Sequence, residues 1–376
     1  LLSNVLQVVL CLAVAWLVLH AFQPSQTTQF EDFALGEATK PSYAAIEGTP
    51  VHCSGVGDAQ PCLAGLSARQ NDQTVLWLGN SQLHGINRMR EGDISAAAQL
   101  WPKLRQAATE LQTYSFPNAN LEEHLTLALW LFPRMSVDVL MLGLVYDDTR
   151  EIGLRPDIAD AIADPTVHDS LNAHEETRRL IVDFTAASDA QSDDADLAGL
   201  DKTLQQQAEA ALTGWLDEHS ELWRQRRGAR GQVMLDLFGL RNWALGIDAS
   251  TVRRKIPVRY EANLLALKHL LKACKDRGVT ALVYVAPIRN DVPIPYELSD
   301  YQLFKDDTES IAKAYDAKWL DLDGIVPAEH WGTTTSSTTQ GAKGQIDFMH
   351  FKATGHSILA DALEAALLPL LEEGAR

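Results

Sequence analysis

The sequence predicts an α/β fold built on a mostly parallel sheet and interrupted by a helical block. Short apolar runs alternate with helical segments from residue 74 to about 145, and again from 260 to 368. The run 137–145, VDVLMLGLV, is almost continuously apolar, as burial of a strand on both faces requires. Between about 155 and 245 the chain is helical and charged, with no convincing strand. That block reads as an insertion, suited to a lid or a docking surface.

Residues 1–22, LLSNVLQVVLCLAVAWLVLHAF, carry no Asp, Glu, Lys or Arg. As a helix they span roughly 30 Å at about 1.5 Å per residue, the thickness of a bilayer's hydrocarbon. Trp16 and His20 fall near the far end, where interface residues gather. No small-residue cleavage site follows, so the segment reads as an uncleaved transmembrane anchor, with a removed signal peptide as its rival. Residues 23–39 contain Arg nowhere and Lys nowhere, which favours the extracytoplasmic side for the rest of the chain.

Residues 23–70 are rich in Gln, Thr, Ser, Gly and Pro and read as a linker with a loop-rich lead-in. Within it Cys53 and Cys62 bracket SGVGDAQP. In an exported domain that pair fits a small-loop disulfide, and the spacing also fits two free thiols. Cys11 and Cys274 read as packing residues. No CxxC pair or His-rich cluster suggests a metal site, and no cofactor is implied. The formal net charge of −18 repels phosphate backbones and sets nucleic-acid binding aside.

The first strand is expected over 74–78, breaking at Gly79 into a helix that reaches about Met89. A helix over 94–112 and a strand over 111–116 follow. Residues 121–132 are helical, with Asn120 as cap and Glu122 and Glu123 in the first turn. Leu264, Leu267, Leu271 and Cys274 form a stripe on a helix over 260–277, which ends at Gly278. A strand over 279–286, a helix over 301–315, a short strand over 319–322 and a helix over 354–368 complete the pattern.

Two segments at opposite ends carry chemistry. Gly79-Asn80-Ser81 puts a serine at the carboxyl end of the first strand, where ligands gather in open α/β sheets. Asp347 and His350 stand three apart on a late loop, close enough for the carboxylate to orient the imidazole. A serine needs such a base to become a nucleophile. The bland readings are a helix cap for Ser81, and a surface acid beside a solvated imidazole. His356 is the rival base, lacking a preceding Asp.

These motifs resemble the SGNH, or GDSL-type, hydrolase superfamily over about 70–150 and 258–370. The resemblance implies a flavodoxin-like three-layer α/β/α sandwich. It implies Ser81 as nucleophile, with Asn80 in place of the usual Asp, and Asp347 and His350 as the rest of the triad. Asn118 takes the place of the family's second-block glycine, whose N–H helps form the oxyanion hole. Asn tolerates the left-handed backbone needed to aim that N–H inward. Tyr146 stands where the third block has an Asn, in Gly143-Leu144-Val145-Tyr146-Asp147-Asp148, a segment that also reads as a strand-end loop with capping acids.

One anchor before such a domain is similar to the membrane-anchored SGNH-like proteins of D-alanyl transfer to teichoic acid and of alginate and peptidoglycan acetylation. That likeness implies a serine O-acyltransferase or esterase acting on a cell-envelope or secreted glycan, beside a multi-spanning membrane O-acyltransferase. The alternative is a non-catalytic SGNH-like scaffold subunit of a membrane complex. The domains expected are an anchor at 1–22, a linker at 23–70, and an SGNH-like domain at 71–376 with its insertion at 155–245.

Overall fold

A computed structural model describes residues 44–46, 49–53, 56, 59–67, 72–84, 93–196, 244, 246, 250–334 and 345–374. The expected anchor therefore lies outside the described residues. Among those described, no helix is long and apolar enough to cross a membrane. The chain divides into two compact units. One comprises Leu1–Gly36, Ala187–Asp248 and Ser336–Ala342, nearly all outside the described residues. The other comprises Glu37–Ala186, Ala249–Thr335 and Lys343–Arg376 and holds the sheet.

That unit runs β1 (Ala44–Ile46), β2 (Thr49–Cys53), α1 (Ala59–Ser67), β3 (Gln73–Gly79), α2 (Ala96–Gln106), β4 (Thr109–Ser115), α3 (Leu121–Leu131) and β5 (Val139–Leu144). It continues through α4 (Pro156–Ala159), α5 (Pro165–Asn172), α6 (Glu175–Asp196), α7 (Pro257–Asp276), β6 (Thr280–Val285), α8 (Leu298–Ala314) and β7 (Lys318–Asp321). It closes with β8 (Trp331–Thr334), β9 (Gln345–Phe351) and α9 (Ala353–Gly374). The last ten residues of α6 belong by sequence to the first unit.

The seven-stranded sheet has the order β1-β2-β4-β3-β5-β6-β7. All its pairings are parallel except β1 with β2. Strand side chains alternate between faces. Leu76, Leu78, Leu140, Leu142 and Val283 join one core with α3, α7 and α8. Val75, Trp77, Met141, Leu282 and Tyr284 join the other with α2 and α9. Helices thus cover both faces, and the three-layer α/β sandwich with a mostly parallel sheet is what the structure shows. From β3 the chain steps to β4 on one side, and then to β5 on the other. The order reverses at β3, which makes its carboxyl end the switch point where open sheets form clefts.

Several expectations change. The segment read as linker supplies β1, β2 and α1, and β2 joins the main sheet beside β4. Cys53 at the end of β2 and Cys62 in α1 form a disulfide. The helix expected to reach Gln112 stops at Gln106, and Ala108 turns the chain at φ +53° into β4. Glu110 and Gln112 look like helix-surface residues, yet every residue of β4 is buried. Arg105 and the Trp101 Nε1–H engage the Glu110 carboxylate and make its burial tolerable. The described part of the 155–245 block packs into the core: Ile158, Ile162, Val167, Leu171 and Leu180 are all buried with α3. Finally, Asp347 and His350 lie on a strand, since β9 pairs antiparallel with β8.

Candidate active site

β3 ends at Gly79, opposite Ser115 of β4. A Cβ at Gly79 would come 2.5 Å from Leu83 Cδ1, so the missing side chain lets the chain fold back at once. The turn Ser81–Leu83 is a single 3₁₀ turn. Asn80 caps it, Oδ1 accepting the Gln82 N–H at 3.0 Å. Asn80 Nδ2 donates to the buried Asp148 carboxylate, 3.3 Å from Oδ1 and 3.2 Å from Oδ2. Asp148 Oδ2 also accepts the Val145 N–H at 2.8 Å. Burial drives the Asp148 pKa well above the usual carboxylate range, against the opposing pull of those hydrogen bonds.

The other half of the site arrives on β9. Asp347 is 5% exposed at its side chain and His350 21%, so the acid is buried while the ring reaches solvent. Asp347 Oδ1 accepts the backbone N–H groups of Met349 at 2.9 Å and His350 at 3.0 Å. His350 Nδ1 lies 3.0 Å from Asp347 Oδ2 and 3.2 Å from Oδ1. A carboxylate there fixes Nδ1 as the protonated nitrogen and leaves Nε2 as acceptor. Nε2 stands 2.9 Å from Ser81 Oγ across 269 residues of sequence. The structure therefore joins Ser81, His350 and Asp347 in one continuous hydrogen-bonded line, with Ser81 half-buried at the end of the central strand.

The amides around the Ser81 turn define what an oxyanion could meet there. Of the four amides in the Ser81–His84 turn, three are taken: Gln82 by Asn80 Oδ1, Leu83 by the Asn80 carbonyl, and His84 by the Ser81 carbonyl. That of Ser81 is not used within the turn. Asn118 has the left-handed conformation expected of it, φ +50°, on an exposed turn after β4. Tyr146 is 1% exposed and packs among Tyr296, Tyr301 and Phe304, with ring centroids 4.7, 6.1 and 5.8 Å away. Burial pushes its phenol up to about 12. The Tyr146 hydroxyl is thus enclosed within that aromatic cluster.

No family model and no curated protein matches this chain. Similar solved structures include one described as an acylhydrolase from Bacteroides fragilis NCTC 9343, at 8% identity and TM-score 0.35, covering 81% of this chain and 90% of that one. A catalytic mutant of Axe2, an acetylxylan esterase from Geobacillus stearothermophilus, matches at 10% identity and TM-score 0.35, covering 78% and 94%. A GDSL-like lipase from Parabacteroides merdae ATCC 43184 matches at 10% and 0.35, covering 80% and 97%. Likenesses this faint leave the site's own geometry to carry the functional reading.

The rival base is placed elsewhere. His356 is fully buried in the first turn of α9, where Nδ1 accepts the Ala96 N–H at 3.3 Å, and burial lowers its pKa to about 3. Two neighbours of the site were invisible in the sequence. Asp148 reads there as one of two strand-end acids, and nothing in the pattern singles out Gln82. The one signal was Asn80, an amide directly before the serine. Among the described residues, no group of three or more His, Cys, Asp or Glu side chains is arranged to hold a metal ion.

Proposed function

We propose that this chain is a serine acyl-group enzyme in which Ser81 is the nucleophile, His350 the base and then the acid, and Asp347 the group that orients His350. The observation that carries the reading is the line Ser81 Oγ–His350 Nε2–Asp347 at 2.9 and 3.0 Å. As Ser81 Oγ bonds to the acyl carbon, its proton passes to His350 Nε2. Asp347, buried beside Nδ1, stabilises the imidazolium that forms. The tetrahedral intermediate then expels the alkoxide, which takes the proton from Nε2, and the acyl group stays on Ser81. Water or a second alcohol repeats the sequence in reverse and frees the serine. The finer form of the proposal is an extracytoplasmic, membrane-anchored O-acyltransferase or esterase working on a glycan. It is supported by the apolar run 1–22 and by the resemblance of the GNS and DxxH segments.

The test is hydrolysis of p-nitrophenyl acetate, together with labelling by a fluorophosphonate. Ser81→Ala is expected to abolish labelling and to lower kcat by about 10⁴ or more, with thermal unfolding unchanged. Labelling that persists in Ser81→Ala overturns the assignment. A wild-type chain that neither labels nor turns over favours the scaffold reading. Adding an acetylated oligosaccharide and a free sugar acceptor separates transfer from hydrolysis by the product formed.

A further inference from the structure

Gln82 joins the two halves of the site. It follows Ser81 directly and is 2% exposed. Its Nε2 donates one hydrogen to the carbonyl of Pro287 at 2.7 Å and the other to the carbonyl of Met349 at 2.9 Å. Pro287 lies on the loop leaving β6, and Met349 directly precedes His350. That same loop supports β9 a second time, since the Arg289 N–H donates to the Phe348 carbonyl at 3.0 Å. At the other end, Asn80 Oδ1 holds the Gln82 backbone.

A single primary amide thus spans from the nucleophile's turn to the base's strand, with both of its hydrogens used. We infer that Gln82 is a positioning residue that sets the Ser81–His350 separation, an inference that rests on the proposed triad reading. The residue type suits the task. Only a side-chain amide presents two donors on one uncharged nitrogen at this reach. A carboxylate in the same place would face two carbonyl oxygens with no hydrogen to give. An aliphatic side chain of equal length would leave both carbonyls without this partner. Either change frees β9 to shift against the turn, and displacements near 1 Å at reacting atoms cost about 100-fold in rate.

The 376-residue chain is assayed with p-nitrophenyl acetate and with a fluorophosphonate as wild type, Gln82→Met and Gln82→Glu, with folding followed by thermal melts. Gln82→Met is expected to lower kcat by about tenfold or more while KM stays within about twofold, with labelling slowed in parallel. Gln82→Glu is expected to keep part of its activity where its carboxyl is protonated and can donate, and to lose that activity as pH rises. The wild type lacks that falling limb. If Gln82→Met does not fold, the Gln82→Glu pH profile decides alone. Variants that fold and match the wild type in kcat and pH profile overturn the positioning role and leave the triad standing. A wild-type chain that neither turns over nor labels overturns both.

Discussion

Position 80 places an amide directly before Ser81, and its neighbour explains why an amide suits it. The Asn80 amide donates to Asp148, a carboxylate with almost no access to water. An Asp at position 80 would set two buried carboxyls against each other, and one of them would have to hold a proton. Asn80→Asp is therefore expected to destabilise the fold by about 2 kcal/mol or more and to disturb the turn that aims Ser81. Adding Asp148→Asn restores a donor facing an acceptor, while its oxygen still takes the Val145 N–H. Urea titrations of both single variants and the double variant measure the coupling, and a double variant no more stable than Asn80→Asp alone rejects the pairing. The amide at 80 was legible in the sequence; the acid it answers was not. Which of Tyr146, Asp147 and Asp148 turns inward depends on the turn after β5, where one residue of register changes the answer. The same uncertainty bears on Tyr146, whose ring an aromatic cluster holds in the core.

Among the elements, those with strong caps or long apolar runs were readable. α3 is buried on every side, so amphipathic periodicity gives no help there. Asn120 and Glu123, which form a capping box, mark its start instead. β9 had no comparable signal. Among the described residues it pairs with β8 alone, with an irregular register, and its burial does not alternate, so Asp347–His350 reads as loop. β2 was hidden in a Gly- and Pro-rich stretch. α3 also shows how the helical block is held. Glu122 and Glu123 are 2% exposed. Arg179 of α6 pairs with Glu122, and Arg155 with Glu123 through Nε at 2.8 Å and Nη2 at 3.1 Å. Arg155 Nη2 also donates to the Pro117 carbonyl at 2.9 Å. Removing one partner of a buried pair leaves the other's charge uncompensated, which costs about 3–5 kcal/mol. Arg155→Ala is expected near the lower bound, because the arginine is partly exposed, and Arg155→Ala with Glu123→Gln is expected to recover part of the loss. Equal urea midpoints for wild type and Arg155→Ala would show that the pair does not hold the block to α3.

For the whole molecule, the sheet's switch point and the buried groups around it link fold to pH. The alternation of strands and helices was enough to place Ser81 at the carboxyl edge, but not to show how many imidazoles the interior encloses. Burial lowers His84 to about 4, His124 to about 3 and His356 to about 3. In the unfolded chain each titrates near its ordinary value of about 6.5. Below that value the unfolded state takes up protons that the folded state refuses, so stability falls as pH drops from about 6.5 towards the folded values. For His84 alone the loss is on the order of 3 kcal/mol by the time pH reaches about 4. Asp148 acts in the opposite sense. Its raised pKa favours the folded state as pH falls through the range above the ordinary carboxylate value, but it is one group against four buried imidazoles, since burial also holds His52 well below its ordinary value. The urea midpoint is therefore expected to drop between about pH 7 and about pH 5, with the slope set by proton uptake on unfolding. His84→Phe keeps a buried ring at that position and removes one titrating group, so it should flatten the slope. An unchanged slope in that variant would mean that His84 binds its proton equally in the folded and unfolded states, and that the acid sensitivity belongs to other groups.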